Sequence, residues 1–192
     1  WASTNWATSG SSEMGSGWLN QDTLGEGLSI FYFGENEDPL SATSSFLADA
    51  NRSGKYRTVI VDSISTLRSY DLDRSAGGQM PAQSDYGRFH AWLSGVLIHS
   101  RKLSLTICWV TTFEEAIDNG RMVIRPGGLS ENNLTAAYQQ LDAIVYMGWR
   151  QQPGKKPSRF LTVSPMDPFG GRSSILIKDR TGRLAPVAEV PE

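Results

Sequence analysis

Residues 56–67 read YRTVIVDSISTL, a short β-branched run that ends in Asp62 and is followed by small hydroxyl residues. Such a run reads as a buried strand delivering one carboxylate to a sheet edge. A carboxylate at the carboxyl end of a parallel strand can hold Mg²⁺, or its water, beside phosphate oxygens. The plain structural alternative is a core strand whose Asp62 caps the next turn. Glu35 is the second carboxylate of interest, because it follows the apolar run LGEGLSIFYF, with Glu37 behind it. An acid placed just after a buried strand can orient or deprotonate a water. Its alternative is a solvated acidic loop leading into a helix, for which Asp38 and Ser41 are ordinary starting residues.

A third element sits upstream. Gly10 and Gly15 enclose four residues, the spacing of a phosphate-binding loop, but Ser16 and Gly17 stand where that loop needs Lys and Ser or Thr. Without the lysine no cation reaches the β and γ phosphates, and without a hydroxyl at position 17 the metal loses its usual protein ligand. The alternative is a flexible Gly/Ser segment. Thr111 and Thr112 end a later apolar run, LSLTICWVTT, where a hydroxyl can sense a phosphate or water or simply begin a turn.

The elements that must position these groups follow from periodicity. Strands are expected up to Phe33, in the run from Tyr56 that ends at Asp62, at 103–112, and in short pieces at 143–149, 159–164 and 174–178. Helices are expected over 40–51, 85–101 and 131–140; in the second, Tyr86, Phe89, Leu93, Val96, Leu97 and Ser100 recur at helical spacing. His90 and His99 lie on or beside that face without acidic or Cys partners at ligand spacing and read as structural. Residues 68–84 and 113–131, with their Gly-Gly and Pro punctuation, are expected to be long loops. The last strands read as antiparallel. The alternation predicts an α/β fold: a three-layer sandwich with a mostly parallel central sheet and a C-terminal antiparallel extension.

Composition sets the limits. With 192 residues, 39% hydrophobic and 20% charged, the chain can bury one sizeable core, so residues 24–192 are expected to form one domain behind a Gly/Ser-rich segment, 1–23. The net charge of −2 supplies no global basic field for nucleic acid. The charge is uneven, however: residues 1–50 hold no Lys or Arg, whereas 150–183 hold eight basic residues against Asp167 and Asp179. Any polyanion contact should favour the C-terminal part. The single Cys108, in an apolar run, excludes an intrachain disulfide, suggests a reducing compartment, and is expected to be a small core residue. No apolar stretch reaches membrane-spanning length and no secretion signal is evident, so no membrane partner and a cytoplasmic location, the host cytoplasm for a viral protein, are expected.

Taken together, GLSIFYFGENEDP, YRTVIVDSIST, SLTICWVTT, LDAIVYMGWR and ILIKDRTGRL resemble, in order and spacing, the RecA-like P-loop ATPase core. The pattern is most similar to compact bacteriophage RecA-like ATPases linked to single-strand annealing and recombination. The resemblance implies that Asp62 ends the Walker B strand and supports Mg²⁺, that Glu35 activates the attacking water, and that Thr111 or Thr112 is the polar sensor. It also implies that Lys178 and Arg180 reach a neighbouring subunit's nucleotide, which requires a homo-oligomer. Gly10, Gly15, Ser16 and Gly17 would be a degenerate Walker A loop. ATP and Mg²⁺ are the implied cofactors, with hydrolysis weak or lost because the loop lysine is absent.

Two classes of function follow. One is an ATP-binding protein acting on single-stranded DNA in phage recombination or replication, with Arg68, Arg74, Arg121 and Arg125 on phosphates and Phe113 or Tyr70 stacking on bases. The other is a non-catalytic RecA-like structural or assembly subunit, in a virion or a recombination complex, whose six Trp residues serve subunit contacts.

Overall fold

A computed structural model describes residues 18–23, 29–33, 37–118, 120–151, 153–165 and 174–190. Four helices supply its core: α1 (Pro39–Ser53), α2 (Ile64–Ala76), α3 (Gln83–Ser100) and α4 (Glu131–Gln140). Helix α1 starts as its sequence dictates, with Asp38 accepting from the Leu40 N–H at 3.3 Å and the Ser41 hydroxyl at 2.6 Å, and with Pro39 in the first turn. Its buried Leu40, Phe46, Leu47 and Ala50 meet Phe89, Leu93, Val96 and Leu97 of α3. Leu134 and Ala137 of α4 and Ile64 and Leu67 of α2 complete the same cluster. The helical spacing read over 85–101 thus marks the face that α3 buries. Each fully buried Phe or Leu there contributes roughly 1.5–3 kcal/mol.

Helix α2 occupies part of the stretch expected to be a loop. Its apolar face is broken by Asp71, which is fully buried and bonded to Arg88 of α3 at 2.5 Å. A charge on the inner face defeats a periodicity argument, and only the partner 17 residues on makes its burial tolerable. The other expected loop is also ordered. Strands β5 (Phe113–Asp118) and β6 (Arg121–Pro126) form an antiparallel hairpin, and α4 follows it.

The sheets correct the predicted three-layer sandwich with a mostly parallel central sheet. Among the described residues there are five separate sheets of two or three strands each, most of them antiparallel. Strand β1 (Trp18–Thr23) pairs antiparallel with β2 (Ser29–Phe33), so the apolar run before Glu35 joins an upstream strand and not a central parallel sheet. Strands β3 (Thr58–Asp62) and β4 (Thr106–Val110) are parallel to each other and form a sheet of their own. A β-branched run pairs equally well in either direction, so the sequence carries no signal for how many strands line up beside it. One face of β3 and β4, with Val59, Val61, Ile107 and Trp109, packs on the helices. The other leaves Ile60 62% exposed and Cys108 exposed, so Cys108 is not the core residue its neighbours suggest.

The remaining strands are stitched by one segment. Strand β10 (Ser174–Ile175) runs parallel to β6, and β11 (Lys178–Asp179) is antiparallel to β7 (Ala143–Ile144). Strand β12 (Val187–Glu189) is antiparallel to β9 (Ser158–Thr162), which in turn pairs with β8 (Tyr146–Arg150). Residues 174–190 therefore enter three sheets in succession. Among the described residues, no helix is long and apolar enough to cross a membrane.

Candidate functional site

The parallel register pairs Thr58 with Thr106 and Asp62 with Val110, so β3 and β4 end side by side. Asp62 is exposed there, and its carboxylate forms no hydrogen bond or ion pair among the described residues. Its peptide to Ser63 is cis. Ser63 caps α2: its Oγ accepts from the Thr66 N–H at 3.2 Å and lies 3.0 Å from the Thr66 hydroxyl. The first turn of α2 contains no acidic residue, and the nearest carboxylate along the chain is Asp62, one residue before the cap.

Ser65, two residues after the cap, ties the two strand ends together. Its Oγ lies 3.1 Å from Thr111 Oγ1 and 3.0 Å from Thr112 Oγ1, and it accepts the Thr112 N–H at 3.2 Å. Thr111 donates its only hydroxyl proton to the Gly127 carbonyl at 3.0 Å. Proton bookkeeping then fixes the chain: Ser65 donates to Thr111, and Thr112 donates to Ser65. Thr112 is the exposed end of this chain and can turn its proton outward while Ser65 keeps the Thr112 amide.

The turn after β6 closes the site from the other side. Gly127 donates its N–H to the Thr112 carbonyl at 2.7 Å, and Arg68 of α2 donates to the Gly128 carbonyl at 3.1 Å. Gly128 has φ 71°, and a Cβ there would stand 3.2 Å from the Arg68 guanidinium. Both conformation and space call for glycine. Arg68 also lies over the Tyr86 ring, 5.4 Å from its centroid. Beside this, Arg125 bonds Glu114 at 2.8 Å and Glu131 at 2.5 Å. Deeper in, Ser94 donates to the buried Asn133 at 2.8 Å, and Asn133 donates to His90 Nδ1 at 2.7 Å. Burial, helped by the charge of Arg68, pushes the His90 pKa down. The imidazole is therefore a neutral acceptor in a structural network.

Of the residues singled out in the sequence, Asp62, Thr111 and Thr112 lie at the same end of the β3 and β4 pair. Gly10, Gly15, Ser16, Gly17 and Glu35 lie outside the described residues. The four arginines have dissimilar surroundings. Arg68 and Arg125 are engaged in the contacts just given, Arg74 is in the last turn of α2, and Arg121 is exposed at the turn end of the β5 and β6 hairpin.

Lys178 and Arg180 have a local task. The Lys178 ammonium is buried, donates to the carbonyls of Tyr138 and Leu141, the latter at 2.6 Å, and sits 5.2 Å from the Tyr138 ring centroid. Arg180 donates to the Gln139 carbonyl at 2.8 Å. These are the carbonyls a helix leaves unbonded at its C-terminus, and α4 has no basic residue of its own in its last turn. Desolvation, with repulsion from Arg180, lowers the Lys178 pKa.

Sequence reasoning did not single out Ser65, Gly127 or Gly128. Ser65 stands in the DSIST run, three residues after the carboxylate, but its role depends on the pairing of β4 with β3, which no local signal reports. The donor set fits a magnesium ion carried in with phosphate: hard oxygens only, with one unpaired carboxylate, where Mg²⁺ keeps several waters and needs one or two carboxylates. Among the described residues, there is no group of three or more His, Cys, Asp or Glu that could hold a metal ion. Comparison with protein-family models, curated proteins and solved structures finds no match.

Proposed function

We propose that the chain is a nucleotide-binding protein that takes ATP with Mg²⁺ at the carboxyl ends of β3 and β4, with hydrolysis weak or lost. The observation that carries this reading is the in-register pairing of the two parallel strands. It brings an unpaired, exposed Asp62 to the same strand ends as Thr111 and Thr112, whose hydroxyls Ser65 of α2 meets. In this reading Asp62 holds the metal or its water, the N-terminal turn of α2 faces phosphate, and Thr112 is the donor free to turn toward it. The motif order shared with RecA-like ATPases supports the same ligand, although the sheet architecture expected from them is not present. Weak or absent turnover follows from Ser16 and Gly17, which supply neither the cation nor the hydroxyl of a phosphate loop. The same resemblance supports a single-stranded DNA partner in phage recombination or replication.

The test is a thermal shift with Mg-ADP and Mg-ATP on the parent and on Asp62→Asn. A nucleotide at a hundred times its Kd stabilises the folded state by about 2.7 kcal/mol, and Asp62→Asn should abolish most of that gain. No shift in the parent at millimolar nucleotide overturns the reading. A second reading, a non-catalytic subunit of a homo-oligomer, draws on bare apolar strand faces: Ile60 on β3 and Phe113 and Ile117 on β5, the last 76% exposed. Sedimentation showing a stable oligomer that Mg-nucleotide neither binds nor alters would favour it.

A further inference from the structure

The β8 and β9 hairpin turns two unlike faces outward and inward. Gly148, Phe160 and Thr162 are buried, while Met147, Trp149, Arg159 and Leu161 are exposed, along with Ala188 of β12 on the same row as Met147 and Leu161. The buried side fixes the hairpin. A Cβ on Gly148 would stand 2.7 Å from the Phe160 ring, so the β8 backbone lies directly on that ring, and Thr162 donates to the Pro186 carbonyl at 2.8 Å. The exposed side is therefore presented by a supported sheet.

On that outer face Trp149 and Arg159 are directly paired across the strands, with the guanidinium carbon 4.8 Å from the indole centroid. Trp149 is 64% exposed even so. The connection at the hairpin tip adds Lys155 and Lys156, both exposed. Neither lysine, nor Arg159, is in an ion pair among the described residues. Residues 145–165 contain no Asp or Glu, and Glu189, which pairs with Arg150, belongs to the opposite face.

An exposed apolar face alone names no partner. Here the aromatic ring is backed by a cation, cations continue beyond it, and carboxylates are missing, which is the composition that binds a polyanion with stackable rings. We propose that the outer face of the β8 and β9 hairpin binds single-stranded nucleic acid, with a base stacked on Trp149 and backbone phosphates on Arg159, Lys155 and Lys156. Met147 and Leu161 extend the apolar strip about 7 Å further along the strands, where a second base can lie. The proposal adds a site to the nucleotide reading and does not depend on it, since it uses none of Asp62, Thr111 or Thr112.

The experiment is fluorescence anisotropy of the whole chain, without nucleotide, with labelled oligothymidylate and oligouridylate of about 15 nucleotides, and with a duplex of the same length. Binding to one or both single strands is expected, and the preferred strand tells DNA from RNA. Trp149→Ala should weaken it about 5- to 100-fold, and Trp149→Phe, which keeps a stacking ring, by much less. With three phosphate contacts, log affinity should fall against log salt with a slope of about −2, and the double variant Lys155→Gln/Lys156→Gln should remove about two thirds of that slope. The lysines are exposed at a turn, so that variant tests the site even if Trp149→Ala unfolds.

No binding, binding unchanged in both variants, or tighter binding to duplex than to single strand overturns the proposal. So does self-association that Trp149→Ala abolishes in a chain that binds no nucleic acid. The nucleotide reading is tested without nucleic acid and this site without nucleotide, so failure of one leaves the other readable.

Discussion

The hydroxyl of Ser65, in the first turn of α2, stands 3.0 Å from that of Thr112, just past the end of β4. This contact, with the Thr112 N–H and Thr111 hydroxyl that Ser65 also meets, is what holds the two strand ends at one place. Ser65→Ala should cost about 0.5–1.5 kcal/mol in denaturant unfolding, because it removes the hydroxyl that bonds both residues at the end of β4. It should also weaken the Mg-nucleotide stabilisation proposed above. Unchanged stability in Ser65→Ala would mean that the hydroxyl chain is ornamental to the fold.

Lys178 and Arg180 cap a helix from about 40 residues away in sequence. Lys178→Met should destabilise the chain by about 1–3 kcal/mol, since the carbonyls of Tyr138 and Leu141 lose their donor in a buried place. Arg180→Ala, on an exposed side chain, should cost less than Lys178→Met. Hydrogen exchange of the α4 amides localises the effect: in Lys178→Met they should exchange faster than those of α1.

Asp71 gives a pH dependence of unusual sign. Burial raises its pKa and outweighs the attraction of Arg88, with Asp38 and Asp85 adding repulsion. Between its unfolded value, about 3.9, and the raised folded one, the native state binds more protons than the unfolded chain. The contribution of Asp71 to stability is thus present at low pH and falls as pH rises through that window. Asp71→Asn should therefore gain on the parent as pH rises above the unfolded value of about 3.9. Melting temperatures of the two proteins across that range check the sign. The opposite trend would place the Arg88 attraction above the cost of burial.

What the sequence makes legible is the local chemistry. The start of α1 at Asp38 and Pro39, the buried stripe of α3 and the carboxylate at the end of β3 all follow from residues within one or two turns of each other. What it hides is partnership. Helix α2 looks like a loop because Asp71 interrupts its apolar face, and the Arg88 that makes this possible lies on another helix. The hairpin of β5 and β6 carries a turn signal, Asn119-Gly120 between alternating residues, but the Pro126-Gly127-Gly128 punctuation after it reads as a loop. Glu114 and Arg125 face each other across that ladder and bond. The parallel sandwich was expected from strand and helix alternation, which says nothing about which strands adjoin. Lys178 and Arg180 look like free cations until α4 is placed against them.

The segment 174–190 also sets an order of events. Strands β6, β7 and β9 leave the ribosome before β10, β11 and β12, the strands that complete their sheets. At about 5–20 residues per second, the edge of β6 not paired with β5 waits several seconds for β10. The buried cluster shared by the four helices and β3 lies upstream of residue 141 and can begin to assemble during that interval, whereas Leu176 at its edge and the α4 caps Lys178 and Arg180 arrive with the later segment. Synthesis thus divides the molecule in time: the helical core around β3 can form early, and residues 174–190 then supply the α4 caps and the last edges of β6, β7 and β9.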